Sequence, residues 1–517
     1  MREEIHELLE SKISLHDKHR FEVKLDVQLA PERKNVYRVE TYFFVPRALN
    51  VTPASYTKND FYNSAQKYLR FKTPQMSLAM LADAANRLSP LHGVHRKLIP
   101  IMAGRHDMAG EDAVVDEIKL LGAIARGAAR DFVRLLLKDL AEARQSKPDA
   151  AARLARVSEA ALGFLGEVKA LTAAMHFLHG QVSNPSVPVR LRDAFLFCDE
   201  YLSIRLENYL TTLLEEVRQN AQSREALAVL DAELVKLVLE QRAYRRSMGY
   251  PSLIKSRGPN ELMVYRRGVL KKFVSSGLFL QVQVSEWEGL VQFLYGLAAG
   301  AAMLFATIVA LAAQSRYATN SLPFVFTVVI AYIFKDRIKD WLKLIFSKSM
   351  TRWLSDRRAD ILDPGTGRRI GSFKEAFSFV PPEQVPPEIH RRRNADNFTT
   401  MDQEGKPEWV MKHEKEVTLD PKPILAFHER RKDLNDIMRF SVDAFLRQAD
   451  DPKVDYPHLS DEGDRVEALH CARVYHVNMI MRYAAQDSAG RPQLSYSRVR
   501  IVFTRDGIVR LEEVPVG

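Results

Sequence analysis

The sequence predicts a mainly α protein with α+β parts, in which a two-helix transmembrane hairpin joins a cytoplasmic helical bundle to one or more small antiparallel-sheet domains. Three features point there. Leu290 to Ala313 carries no charge, the stretch from Glu111 to Ser275 is patterned at a helical period, and both ends of the chain alternate apolar and polar residues. At 517 residues the chain exceeds what one core usually serves, so more than one domain is expected. An apolar fraction of 46% and a charged fraction of 27% exclude both a largely disordered chain and a many-span transporter.

Leu290–Ala313 is 24 residues long, with Gln292 its one strongly polar member. As a helix it reaches about 36 Å, enough for a hydrocarbon layer of about 30 Å. Tyr317–Phe334 follows, but only Leu322–Phe334 is solidly apolar, and Pro323 sits where a first helical turn tolerates it. That segment spans if Tyr317 and Asn320 lie at one interface and Lys335 snorkels to the other; a re-entrant or interfacial helix is the competing reading. Gln314-Ser315-Arg316 only turns the chain back.

Net charge is +10, concentrated at this hairpin. Arg242–Lys272 has nine Lys/Arg against one acid, Glu261, and Lys335–Arg393 has fourteen against eight. Basic residues near span ends stay on the cytoplasmic side. The expected location is therefore the plasma (inner) membrane, with two spans and both termini cytoplasmic. The partners expected are the lipid bilayer with anionic lipid contact, and other proteins or further copies of the chain; the charge placement argues against nucleic acid. Gly296 and Gly300, and the row Ala298, Ala302, Ala306 and Ala310, form small-residue faces for close helix packing, within the hairpin or between copies.

The expected order is an N-terminal α+β segment (1–105), the helical bundle (106–280), the hairpin (290–334), a basic amphipathic juxtamembrane helix (335–360), a Pro/Gly-rich linker (361–405) and a C-terminal α+β domain (406–517). Phe21 to Leu29 and Tyr37 to Val45 read as strands, and Thr57 as the cap of a helix carrying Phe61, Ala65, Tyr68 and Leu69. In the bundle Ala161, Leu165, Val168, Thr172 and Met175 recur at heptad-like intervals. After the hairpin Ile338, Trp341, Leu342, Ile345 and Trp353 share a face, interleaved with Lys and Arg. The C-terminal domain is read as a helix near Asp433–Gln448, then strands at Tyr475–Tyr483 and Val499–Phe503 with a hairpin at Asp506-Gly507. Whether the strands at the two ends share a sheet is open at this level.

No pattern specifies chemistry, so no catalytic, cofactor-binding or metal residue and no cofactor is assigned. Gly365-Thr366-Gly367 to Gly371 lacks the Gly-Lys-Ser/Thr of a phosphate loop and reads as a turn. His176 and His179 share a helical face near Asp199 and Glu200, without the spacing of a zinc or di-iron site. His92, His95, His106 and Asp107 fall in a loop-like stretch. Cys198 and Cys471 read as free thiols of a reducing compartment, and Met1–Glu7 is too charged for a signal peptide. The expected role is a membrane-anchored cytoplasmic scaffold or sensor. The alternatives are an oligomeric channel or transporter component lined by Gln292, Thr307 and Thr327, or a membrane-tethered enzyme of unrecognised type.

Overall fold

The computed structural model describes residues 11–105, 107–145, 150–219, 224–254, 258–285, 288–318, 321–353, 355–395, 407–428, 430–431, 433–486 and 491–515. The chain opens with strands β1 (Ser11–Asp17), β2 (Arg20–Val27) and β3 (Asn35–Pro46), then helix α1 (Lys58–Ser64) and strand β4 (Ala65–Phe71). Helices α2 (Leu78–Ala82) and α3 (Pro90–Met102) lead into four long ones: α4 (Met108–Gln145), α5 (Ala150–Val182), α6 (Val189–Gln219) and α7 (Arg224–Ser247). Helix α8 (Glu261–Ser276) and strand β5 (Gln281–Ser285) precede the apolar pair α9 (Glu288–Arg316) and α10 (Leu322–Trp353). Next come β6 (Arg357–Leu362), β7 (Arg369–Val380), α11 (Pro387–Arg393), β8 (Glu408–Leu419) and α12 (Pro421–Phe427). The chain closes with β9 (Leu434–Ser441), α13 (Asp443–Leu446), β10 (Lys453–Leu459), β11 (Val466–Ala472), β12 (Tyr475–Gln486), β13 (Pro492–Thr504) and β14 (Gly507–Val514).

The fold is mixed α and β with antiparallel sheets. One sheet of eight strands runs β14-β13-β12-β3-β8-β7-β6-β5, and one of four runs β1-β2-β9-β4. The two ends of the chain do share sheets: β3 lies between β12 and β8, and β9 between β2 and β4. The alternation of β2 explains its place, since Phe21, Val23, Leu25 and Val27 are buried while the residues between them are half-covered. The two sheets meet over an aromatic core. Phe61 stacks on Phe377 at 4.2 Å and Phe43 on Phe440 at 5.1 Å. On the outer face of the large sheet Tyr42, Phe44, Val410 and Ile480 are covered by Val385 and Ile389 of the 381–395 segment.

The bundle packs α4 against α6 and α7 against both α5 and α6, and its apolar faces are continuous with the sheet core. Ala161, Leu165, Val168 and Met175 of α5 point inward, as their spacing predicts, with Leu154 and Leu171 beside them, while Thr172 is half-buried and donates to Val168 C=O. The segment leaving α8 is bonded to β4, Phe71 N–H to Leu278 C=O at 2.7 Å and Leu280 N–H to Leu69 C=O at 2.9 Å, so bundle and small sheet are stitched by main chain.

Local readings of the sequence need correction at several points. Thr57 does cap α1, in a reciprocal capping box with Asp60, but the helix stops at Ser64 and Ala65–Phe71 is strand. The register of β4 against β9 buries Leu69 and Phe71, and that pairing outweighs a short helix's weak propensity. Leu434–Ser441, expected as helix, is the central strand of the small sheet, and only Asp443–Leu446 is helical beyond it. The expected linker 361–405 holds β7, an interior strand of the large sheet, and α11. Its prolines lie at the N-termini of short helices rather than in extended linker. The expected separate helix at 335–360 is the continuation of α10 to Trp353, followed by β6.

Candidate functional site

The surface that stands out is the pair α9 and α10. Their antiparallel contact buries small residues, Ala298 and Ala302 on α9 and Ala331 on α10, so the backbones approach closely. Nothing lies within 4 Å of a side chain added at Gly296 or Gly300, so these glycines form an open face rather than the hairpin's seam. Around the seam Phe293, Leu297, Met303, Leu304, Ile308 and Leu311 of α9 are exposed, as are Val325, Phe326, Ile330, Ile333 and Phe334 of α10. Their summed area is on the order of 1000 Å², against roughly 300–600 Å² for the largest apolar patch on a typical soluble monomer.

By length and composition, two helices among the described residues are able to cross a membrane: Ala152–Val182 and Gln292–Arg316. The first is α5, whose apolar side is used up in the bundle, whereas only 17% of the α9 window is buried. Helix α10 is shorter in apolar reach. The Lys343 ammonium sits 5.4 Å from the Tyr295 ring centre, which sets the level of one helix against the other. From that level both helices rise about 32 Å to the connecting turn. Lys335 interrupts α10 about 20 Å below the turn, and its ammonium lies 3.6 Å over the Tyr332 ring, pointing toward the turn rather than the body. Arg316 and Tyr317 sit exposed at the turn itself. Trp341 and Ile345 of the expected amphipathic face are exposed, with Ile338 and Leu342 half-buried beside Lys339 and Lys343; the Trp353 side chain lies outside the described residues. The threonines weighed as pore-lining, Thr307 and Thr327, donate to their own helix at Met303 and Pro323 carbonyls.

Between the sheets lies a buried charged cluster that no sequence spacing announced. Lys67 of β4 donates to Glu375 of β7 at 2.6 Å and stands 3.2 Å from His413 Nε2 of β8. Next to it Lys415 donates to both oxygens of Asp436 at 2.6 and 2.7 Å, and the Tyr37 hydroxyl donates to Asp436 at 2.9 Å. Burial pushes Lys67 down to about 8, with Glu375 holding against it. Burial and then the charges of Lys67 and Lys415 keep His413 neutral, well below its ordinary range. The adjoining cavity is about 40 Å³, room for about a single water.

A larger, open cleft of about 560 Å³ is lined by His19, Asp60, Ser441, Asp443 and Arg447 among others. His19 Nδ1 lies 2.6 Å from Asp443, but the Ser441 hydroxyl donates to the same carboxylate at 2.6 Å. The carboxylate thus sits between hydroxyl and imidazole, so the histidine does not face the hydroxyl and the trio lacks the Ser–His–Asp order of a serine nucleophile.

The residues weighed in the sequence fall as follows. His176 lies tilted against Tyr244, and His179 stacks on Phe195. Asp199 instead accepts from the Tyr244 and Tyr250 hydroxyls, both at 2.7 Å, and burial raises its pKa despite those bonds. Glu200 is paired with Arg266 at 2.7 Å. His92 and His95 sit on helix α3, not in a loop, bonded to Ala84 C=O and Gln181 Oε1; Asp107 accepts from Gly110 N–H, and His106 lies outside the described residues. No cluster of His, Cys, Asp or Glu able to hold a metal occurs among the described residues. Asp363 organises the 363–368 turn by accepting from Thr366 N–H and hydroxyl, and its other oxygen meets His428 at 2.8 Å. Gly371 is needed for a different reason: a side chain there would meet Thr418 C=O at 2.5 Å. Cys198 is buried and Cys471 exposed, both as free thiols.

Set against protein families, curated proteins and solved structures, the chain matches none.

Proposed function

We propose that the chain is a membrane-anchored scaffold or sensor whose α9–α10 hairpin inserts in a bilayer while the sheets and bundle stay together on one side, the cytoplasmic one. The carrying observation is the uncovered apolar surface of the hairpin on a body whose other long helices bury their apolar sides. Arg316 at the turn favours two full spans, since a wedge ending in mid-bilayer would hold an arginine there at about 2.5–3.5 kcal/mol or more. The charge-free reach of about 20 Å on α10 then requires Lys335 to swing toward the body or the bilayer to thin. The body side holds the basic flanks, which supports contact with anionic lipid.

The test uses the native exposed thiol as an internal reference. With Ala318→Cys in intact cells, a membrane-impermeant thiol reagent should label the introduced thiol and spare Cys471. Labelling of Cys471 alone, or of both at equal rates, refutes the two-span arrangement. Recovery of the full chain in the soluble fraction, without detergent, refutes the anchor altogether.

A further inference from the structure

A second surface is loaded in a way the anchor does not explain, at the junction of the bundle and the small sheet. Arg126 and Arg130 of α4, Arg205 of α6, and Arg267 and Lys271 of α8 converge there from the bundle side. Arg70 of β4 and Arg439 of β9 approach from the sheet. The groups lie within electrostatic reach of one another: Arg70 feels Arg126 and Arg130, Arg267 feels Arg205, and Lys271 feels Arg205, Arg439 and Arg126. Burial is the larger cause, and these like charges add to it, in holding Arg70, Arg267 and Lys271 below their ordinary values.

Two of the carboxylates in reach are already committed: Glu22 accepts from Arg439 at 2.6 Å and Asp131 from Arg130 at 2.8 Å. Asp26 lies 3.4 Å from Lys72 and 3.6 Å from Lys24, on the sheet side of the junction with Arg70, and its Oδ1 has no hydrogen-bond donor among the described residues. Arg126, Arg205, Arg267 and Lys271 have no carboxylate partner among the described residues. Arg267 Nε and Nη2 and Arg70 Nε are buried without a hydrogen-bond acceptor among those residues. A buried guanidinium N–H left unpaired is destabilising, and mutual repulsion adds to that. Aromatic faces lie alongside, Tyr201 under Arg205 at 5.3 Å and Tyr68 under Arg439 at 5.2 Å, and exposed Lys271 leaves the cluster open to solvent.

We propose that this junction binds a multiply charged phosphate group, held by the Arg126, Arg205 and Arg267 guanidinium forks and by Lys271. Guanidinium groups match phosphate oxygens two at a time, and a polyanion is what relieves several cations together. The group belongs either to a soluble phosphorylated metabolite or to a phospholipid headgroup; the recognition chemistry is the same. The site does not depend on whether the hairpin enters a bilayer.

The full-length chain in neutral detergent is titrated calorimetrically with inorganic tripolyphosphate at low salt. In parallel it is melted in phosphatidylcholine nanodiscs with and without phosphatidic acid. Parent, Arg126→Gln, Lys271→Gln and, as a control of equal charge change, Arg510→Gln are compared. Saturable tripolyphosphate binding that weakens about tenfold for Arg126→Gln and Lys271→Gln, and not for Arg510→Gln, is the expected result and assigns a soluble ligand. The same variant pattern seen only with phosphatidic acid assigns the headgroup. Without ligand, Arg126→Gln and Lys271→Gln should melt at or above the parent temperature, because each removes repulsion. No saturable response to either probe, equal loss in Arg510→Gln, or a clear fall in ligand-free melting temperature for both variants overturns the proposal.

Discussion

Replacing Lys67 by methionine should be among the most damaging single changes to the sheets, and adding Glu375→Leu should largely reverse the damage. The Lys67 and Glu375 side chains are 13% and 3% exposed and 2.6 Å apart. At an effective dielectric near 20 their attraction is about 6 kcal/mol, against a desolvation cost of several kcal/mol per ion. Lys67→Met keeps the volume but leaves Glu375, among the described residues, with no ion-pair partner except His413 at 3.8 Å. Removing one member of a buried pair leaves the other charge uncompensated, at a cost of about 3–5 kcal/mol. A destabilisation of about 3 kcal/mol is therefore expected for Lys67→Met, and less than about 1.5 kcal/mol for the apolar double variant. Urea unfolding followed by amide exchange on β4 and β7 in the detergent-solubilised chain measures both. Strictly additive losses, with the double variant as unstable as the sum of the singles, would falsify the pairing argument. The pH dependence has a definite sign. Lys67 is pushed down to about 8 in the folded state and stays near its ordinary value unfolded, so between these values the unfolded chain binds more protons. Relative to the double variant, the parent should gain stability as pH rises from 8 toward 10, by up to about 1 kcal/mol per pH unit.

Further outcomes follow from single contacts. Asp199→Asn, which keeps an acceptor for Tyr244 and Tyr250, should be near neutral at pH 7, while Asp199→Ala should cost about 2–3 kcal/mol in thermal or denaturant unfolding by stranding two hydroxyls. Thiol titration of the native protein should find Cys471 reactive and Cys198 silent, because Cys198 is buried and its Sγ donates to Ile118 C=O at 3.2 Å; two native equivalents would contradict the packing of α4 on α6. Ala302→Leu should wedge α9 from α10 and cost about 1–3 kcal/mol, whereas Gly300→Ala should be tolerated; a large loss at Gly300 would instead indicate a second copy seated on that face. Gly371→Ala should weaken the β7–β8 pairing by more than about 2 kcal/mol, read as faster exchange of the β8 amides.

What the sequence disclosed depended on the range of the interaction involved. Periodicity placed β2, β3, β12 and the bundle helices, because amphipathic alternation is written locally. The Asp506-Gly507 signal marked the turn into β14, where Gly507 takes a positive φ of 133° and a side chain would meet Lys18 C=O at 2.6 Å. The segment Leu434–Ser441 misled because Leu434, Ile437 and Met438 sit at helical spacing, and only its two partner strands, over 350 residues away in sequence, decide for β. The proline and arginine content of 361–405 suggested a linker, whereas β7 is held by β6 and β8, whose pairing no local signal reveals. The cationic junction was invisible for the same reason. Its members come from five elements between Arg70 and Arg439, each an unremarkable surface residue of its own helix or strand.

The two loaded surfaces are adjacent along the chain, and the segment that leaves the first is bonded into the sheets. Lys271 lies in α8; five residues after that helix ends the chain enters β5, which pairs with β6 from Gln281 to Ser285, and α9 begins at Glu288. On the way Leu278 and Leu280 are bonded to Phe71 and Leu69 of β4, the strand that also carries Arg70. The chain leaving the cation cluster is therefore held by main-chain bonds as far as Ser285. If the junction takes up a polyanion as proposed, α8 is drawn toward β4 and α4, and the bonded 278–280 segment carries that pull as far as β5. The sensor reading proposed above would then have the anion as its input.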